Sequence, residues 1–514
     1  MANPLKDNLF ILINSLSKSE KRQFKLYVNR LGDNTDAKFL LLFNLLDKMN
    51  EYNEEEILKS EIVTKLQLSN LKAHLYKQIL ISLRMNPVNQ NIRIHIREQL
   101  DFATILYHKG LYKQSLKILD KTKLVALEND EKNIAFEIVE LEKVIESQYI
   151  TRSIVGRADE LTIQAKELSI QNVIASKLSN LSLQLYSIML KSGYAKSQDE
   201  MLEITTYFNN QLPEYHIEEL GFREKLWLYK AHLWHSFLIQ DFLSCYKYSS
   251  KWVNLFNANP HMIFLNPVWY IKGNTYLLEC LYLIKHKSYI KEVLENMEKT
   301  IALDAFPKND NLTTLYFLCY YNSKFSLHFL EGDFEGGLYL VDEVMKNLKK
   351  NEDRIDEHHV MVFYYKIASL YFGMGNNKKC IEYLKKIIDN KNLSMREDLM
   401  CFARVLSLVA HYEAGMDYHL EIQLKSTYKF LIKMNDLHEV QREMIKFLKN
   451  LGSIFPHELK TEFKKLYDRL IVFENHPFEK RAFLYLDIIS WLESKIDNKP
   501  VAEIIQEKAK RLIR

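Results

Sequence analysis

The sequence predicts an all-α chain built from stacked helical hairpins. Three observations carry that expectation. The 514 residues contain only 13 Gly and 9 Pro, far fewer than a turn-dense β architecture needs. Hydrophobic residues make up 47% and include 30 Tyr and 27 Phe, spread along the chain as anchors between packed helices are. From about residue 98 one pattern recurs: a helix-like stretch, a turn holding Gly, and a second helix-like stretch.

Residues 1–95 read as an N-terminal helical domain. Ser17 and Glu20 have the S-x-x-E spacing of a capping box. In such a box the Ser hydroxyl accepts from the N3 amide and the Glu reaches back to the cap, so a helix is expected from Lys18. Phe24, Tyr27, Val28 and Leu31 fall at i, i+3, i+4 and i+7, one apolar stripe. Lys18, Arg22, Lys25 and Asn29 lie opposite, and Gly32 follows as a C-cap. The plain reading of Lys18, Arg22 and Lys25 is a solvated helix face. The sharper one is a basic head that contacts a phosphate backbone or a partner protein. Further helices are expected over DAKFLLLFNLLDKM, EEEILKSEIVTKL and SNLKAHLYKQILISLRM, the last stopping near Pro87. The segment LQLSNLKAHLYKQIL resembles the second half of a helix-turn-helix, although Leu71, Leu75, Ile79 and Leu80 on it read as core.

Residues 96–438 carry the recurring pattern. The clearest lines are QLDFATILYHKGLYKQSLKILDKT, KFSLHFLEGDFEGGLYLVDEVM, YYKIASLYFGMGNNKKCIEYLKKII and VLSLVAHYEAGMDYHLEIQLKSTY. Looser ones are QLYSIMLKSGYAKSQDEMLEI, HLWHSFLIQDFLSCYKYSSKW and LLECLYLIKHKSYIKEVLENM. Small residues (Ala103, Ser115, Gly337, Ala368) are expected where the two helices of a hairpin approach closely, and large ones (Tyr112, Phe334, Leu384) where one hairpin meets the next. Gly110, Gly332, Gly375 and Gly415 mark the reversals. These lines resemble the tetratricopeptide repeat (TPR) family. The spacing between matching glycines, 43 from Gly332 to Gly375 and 40 from Gly375 to Gly415, exceeds the ~34 of the regular repeat. The resemblance therefore implies an irregular α-α superhelix, a TPR-like solenoid of about eight hairpins.

Residues 439–514 are helical but off that pattern. IKFLKNL, HELKTEFKKLYDRLIVF and PFEKRAFLYLDIISWLESKI read as helices, with Pro456 and Pro477 at helix starts. This segment is expected to cap the apolar end of the array. The layout as a whole also resembles TPR-type proteins of AT-rich bacteria, a likeness that implies nothing about activity.

Charge and motifs narrow the function. Net charge is +4; residues 1–97 hold 15 Lys and Arg against 10 Asp and Glu, which is not the footprint of a committed nucleic-acid binder. The five cysteines form no C-x-x-C pair, as expected of a reducing, cytoplasmic setting. The runs LFILI and FLLLFNLL are too short for a signal core or a membrane span. There is no G-x-x-x-x-G-K-[ST] and no G-x-S-x-G; Gly373 and Gly375 make a lone G-x-G at a hairpin turn. His232, His235, Asp241 and Cys245 bring metal-ligating types together, but Trp234, Phe237 and Leu238 among them read as core. His358 and His359 read as a surface turn. No catalytic residue, metal site or cofactor is expected.

What remains is a surface. In TPR-like arrays the first helix of each hairpin lines an inner groove. Three residues before each turn glycine stand Tyr107, Phe329, Phe372 and Tyr412, with Asn322 and Tyr365 lower on the same helices. Aromatic faces with an amide alongside suit an extended peptide. The expected function is thus a non-catalytic scaffold for a protein or peptide partner. The alternative is a peptide-sensing transcriptional or signalling regulator whose basic N-terminal head contacts DNA or a partner protein.

Overall fold

The structure is a computed structural model. It describes residues 7–30, 38–86, 91–148, 156–390, 397–433, 439–450, 454–455, 457–481, 483 and 487–511. Among them there is no strand: the chain is all-α, each helix packing mainly on its neighbours in sequence. It divides into two compact units, Met1–Lys166 and Glu167–Arg514.

Unit 1 opens with α1 (Asn8–Ser15), α2 (Lys18–Arg30), α3 (Lys38–Leu46), α4 (Glu54–Lys59) and α5 (Lys65–Met85). The capping box forms as its spacing predicts. The Ser17 amide donates to Glu20 Oε2 at 2.8 Å, the Glu20 amide donates to Ser17 Oγ at 3.2 Å, and α2 begins at Lys18. Phe24 and Val28 point inward and meet Phe43, Leu46, Ile57, Leu75 and Ile79 in one small core. Lys72 ties α5 to both the α1 cap Asp7 and the Tyr52 hydroxyl. Two expectations change here. The stretch EEEILKSEIVTKL is not one helix: α4 stops at Lys59 and Glu61 takes a left-handed φ of 58°. Helix α5 then starts at Lys65, four residues before Ser69, with Thr64 at its N-cap position. The expected Gly32 cap and Pro87 lie outside the described residues.

Three further helices, α6 (Ile92–His108), α7 (Tyr112–Glu128) and α8 (Lys132–Gln148), stack in order, followed by the start of α9 (Arg157–Ser192). Ala103 and Ser115 are fully buried, and Ser115 Oγ donates to the Ala103 carbonyl at 2.8 Å. That is the close approach for which small residues were expected. The sequence pattern did not mark the α7–α8 hairpin, because Asp130 at φ 57° rather than Gly makes its turn.

Unit 2 continues α9 and adds α10 (Gln198–Gln211), α11 (Phe222–Leu238), α12 (Phe242–Ala258), α13 (His261–Leu265), α14 (Pro267–Leu283), α15 (Lys287–Ala302) and α16 (Asp310–Glu331). Next come α17 (Phe334–Leu338), α18 (Val341–Lys350), α19 (Glu357–Gly373), α20 (Asn377–Ile388), α21 (Glu397–Glu413), α22 (Asp417–Lys433) and α23 (Glu439–Asn450). Hairpins form at the clearly marked lines and at two of the looser ones, α11–α12 and α14–α15, which turn on Gln240 (φ 59°) and Lys285 (φ 57°) instead of Gly; at the remaining looser line α10 packs mainly on α11 rather than on α9. Consecutive first helices α14, α16, α19 and α21 also touch one another. A Cβ on Gly337 would lie 2.6 Å from Leu370 Cδ2, so any larger residue would displace the Leu370 side chain where α17 meets α19.

The last helices are α24 (Leu459–Leu470), α25 (Ile488–Asp497) and α26 (Val501–Arg511). Pro477 does not open the long helix expected after it. Only a short 3-10 turn, Glu479–Arg481, follows, and α25 starts later because Asp487 caps it, accepting from the Ser490 amide at 2.9 Å. This segment packs on the last hairpin, where Trp491 Nε1 donates to Glu413 Oε1 at 2.7 Å. It also runs back along the hairpin turns: Gln506 Nε2 donates to the Gly332 carbonyl and Lys480 Nζ to the Gln240 carbonyl, each at 3.0 Å.

Candidate functional site

The six groove candidates do not form one open wall. Tyr365 and Phe372 are 4% and 7% exposed and belong to the core shared with α20 and α21, so neither is open to a ligand. Tyr412 is half-buried against Phe463 and Trp491 of the C-terminal segment, its ring centre 6.3 and 6.4 Å from theirs. Phe329 is half-buried against Phe334 across the turn. Tyr107, in unit 1, donates its hydroxyl to Gln148 Oε1 at 3.1 Å and packs on Tyr112. The reason is positional. A residue three before the reversal sits at the end of its hairpin, where the second helix and, in unit 2, the C-terminal segment cover it.

Asn322 is built differently. Its Nδ2 donates to the Leu318 carbonyl, its own carbonyl accepts from Lys366 Nζ at 2.8 Å, and its Oδ1 is buried without a hydrogen bond. Lys366 also donates to Ser326 Oγ at 2.9 Å. Burial pushes the Lys366 ammonium down to about 8, with Glu279 acting in the opposite direction.

One lysine- and tryptophan-rich cluster of unit 2 is a feature the sequence reading missed. On α11 and α14, Lys230 Nζ lies 4.8 Å from the Trp227 ring centre and 4.9 Å from that of Trp269. Lys272 Nζ lies 5.7 Å from the same Trp269 ring. The two indoles meet edge to face at 4.9 Å and 72°. All four side chains are half-buried. Burial, and then the charge of Lys272, push the Lys230 ammonium down to about 8. The signal was present: WLYK (227–230) and WYIK (269–272) repeat W-x-x-K on the first helices of two hairpins. Each Trp and its Lys stand three apart, on one helix face. Next to Lys272, Gly273, whose lack of a Cβ admits Trp252 Cδ1 to 2.8 Å of where one would stand, seats α12 against α14.

The cluster of metal-ligating types falls apart into packing roles. His232 stacks on Tyr248 at 4.3 Å and 6°, His235 on Phe208 at 4.4 Å and 22°. Asp241 caps α12 by accepting from the Ser244 amide. Cys245 is buried, and burial holds its thiol far above the usual range, as in an inert core cysteine. Among the described residues no group of His, Cys, Asp and Glu is arranged to hold a metal ion.

In the N-terminal head, Lys18 and Arg22 are exposed, whereas Lys25 leans over the Phe43 ring at 5.6 Å and Lys21 pairs with Asp47 at 2.6 Å. Helix α5 has no acidic residue in its 21 positions, and Leu66 near its start is 94% exposed. The exposed Glu54, Glu55 and Glu56 at the start of α4 add negative charge to the same head. No described helix is long and apolar enough to cross a membrane.

No family model matches the chain, and neither a curated protein nor a solved structure does.

Proposed function

We propose that this chain is a non-catalytic, TPR-like scaffold that binds a protein or peptide along the first helices of its stacked hairpins, acting in the cytoplasm. One observation carries the reading. Helices α14, α16 and α19 follow one another in contact and keep half-buried polar and aromatic side chains, among them Tyr316, Tyr320, Lys324 and Lys366. A surface of that composition offers flat apolar area together with donors for a backbone. The five buried free thiols suit a reducing compartment. The test is capture of partners by the full-length protein from lysate of its own cells, with and without nuclease, read by mass spectrometry. A protein retained after nuclease and lost with Tyr320→Ala plus Lys324→Glu supports the scaffold. Retention unaffected by that pair of changes sinks it.

The alternative is a peptide-sensing regulator whose head contacts DNA. Exposed Lys18 and Arg22 and the acid-free α5 favour it, and the three glutamates of α4 weigh against it, since they repel a phosphate backbone. Binding of the full chain to duplex DNA with a steep salt dependence, lost with Lys18→Glu plus Arg22→Glu, would move this reading ahead.

A further inference from the structure

We propose that the Trp227, Lys230, Trp269 and Lys272 cluster on α11 and α14 is a binding site for a phosphate monoester. The inference stands independently of the scaffold reading. It begins with an imbalance of charge. Lys230 and Lys272 both lie within 6 Å of one indole centre, and among the described residues neither has a hydrogen bond or an ion pair. Several other partly covered lysines of unit 2 are answered, Lys366 by Asn322 and Ser326, Lys480 by the Gln240 carbonyl, Lys495 by Glu413 and Lys508 by Glu493. Among the described residues Lys225, Lys287 and Lys324 have no such partner, but none of these three shares a ring with a second lysine. Two like charges beside one ring, half-buried and with no counter-ion among the described residues, oppose folding. Such an arrangement marks a site shaped for a ligand.

The geometry also selects the ligand. Both ammonium groups lie within 6 Å of the same ring centre, so one group that carries about two negative charges would answer both from the rim of that ring. A phosphate monoester does, with roughly −1.5 to −2 at neutral pH; a single carboxylate carries one. Lysine, with rotatable donors, follows tetrahedral phosphate oxygens, whereas planar carboxylates are matched best by the fixed fork of arginine, absent from this cluster. Trp227 and Trp269 fix both stems and form an apolar rim that suits an aromatic or alkyl group on the phosphate.

The probe is phenyl phosphate, titrated into the full-length protein and followed by calorimetry and by intrinsic fluorescence, since Trp227 and Trp269 are two of only five tryptophans. Benzoate is the single-charge control. Saturable binding of phenyl phosphate, at least tenfold weaker for benzoate and at least tenfold weaker in Lys272→Gln, is the expected result. Lys230→Met should lose binding too, yet melt at the same or a higher temperature, because it removes the uncompensated charge and keeps the stem. A Lys230→Met chain that melts lower makes Lys230 structural and overturns the proposal. So does benzoate binding as well as phenyl phosphate, or the absence of heat and fluorescence change at millimolar probe. Competition with a phosphotyrosine peptide assigns the source: tighter binding than phenyl phosphate points to a phosphorylated protein segment, equal or weaker binding to a free phosphate ester.

Discussion

His232 shows how one side chain reports its surroundings. It is sandwiched on Tyr248 between α11 and α12; burial first, and then the nearby His235, Lys251 and Lys247, push its ring down to about 4. The unfolded chain has the ordinary value near 6.5, so below that pH the unfolded state binds the proton first and stability falls as the solution is acidified. At pH 5 the loss should be about 2 kcal/mol relative to pH 7.5, read as a lower urea midpoint. His232→Phe keeps the stacked ring and should remove most of that slope; an unchanged slope would place the titration elsewhere. Unit 1 holds a sharper case. Glu142 is fully buried, with Lys123 Nζ at 2.5 Å and Arg157 at 3.4 Å. Burial raises its carboxyl despite those partners. Lys123→Ala should therefore cost about 3 kcal/mol, and the double change with Glu142→Gln should recover part of it, as a denaturation cycle would measure. Neither role was legible in the sequence. Lys123 and Glu142 are 19 positions apart on different helices, and a charged residue in a helical pattern reads as solvated until the facing helix is known.

Helices were legible wherever the code is local. The α2 start depends on residues three apart, and the structure makes both reciprocal hydrogen bonds of that box. Ser17→Ala should then lower unit 1 stability by about 1 kcal/mol, with the loss of amide-exchange protection concentrated in the first turn of α2. Protection lost evenly along α2 would mean that packing, not the cap, sets its start. Hairpin reversals were read from Gly at Gly110, Gly332, Gly375 and Gly415 and from helix pattern alone around Gln240 and Lys285, but the Asp130 turn was passed over; at these last three an ordinary side chain takes φ near 57–59°. At those three turns the packing of the flanking helices, rather than glycine's freedom, imposes the left-handed residue. Pro477 misled for a related reason. Proline permits a helix start without requiring one, and the stronger cap ten residues on, Asp487 with Ser490, decides where α25 begins.

At the largest scale the sequence separated an array from an off-pattern tail, but contacts across some 174 or 240 positions, such as Gln506 to Gly332 and Lys480 to Gln240, leave no local trace. Unit 2 is thereby not a simple row of nearest neighbours. In a pure stack each hairpin answers only to the next, and stability propagates one step at a time. Here α26 also sits against α16 and its turn: a Cβ on Gly332 would lie 3.0 Å from the Ala502 carbonyl and 2.9 Å from Gln506 Cγ. Ile505 and Ala502 join the core of Phe325, Phe334 and Phe363. Ending the chain after Lys499 removes these contacts while leaving Trp491 and its bond to Glu413 in place. If the tail couples distant hairpins, hydrogen exchange should quicken from about residue 325 to 345 although that stretch lies more than 150 positions upstream. The head, 7–86, should exchange as before. Quickening limited to α25 would mean that α26 is docked but bears no part of the array's stability. Quickening across all of α11–α21 would mean that unit 2 unfolds as one body, with the returning tail as the contact that makes a linear stack cooperative.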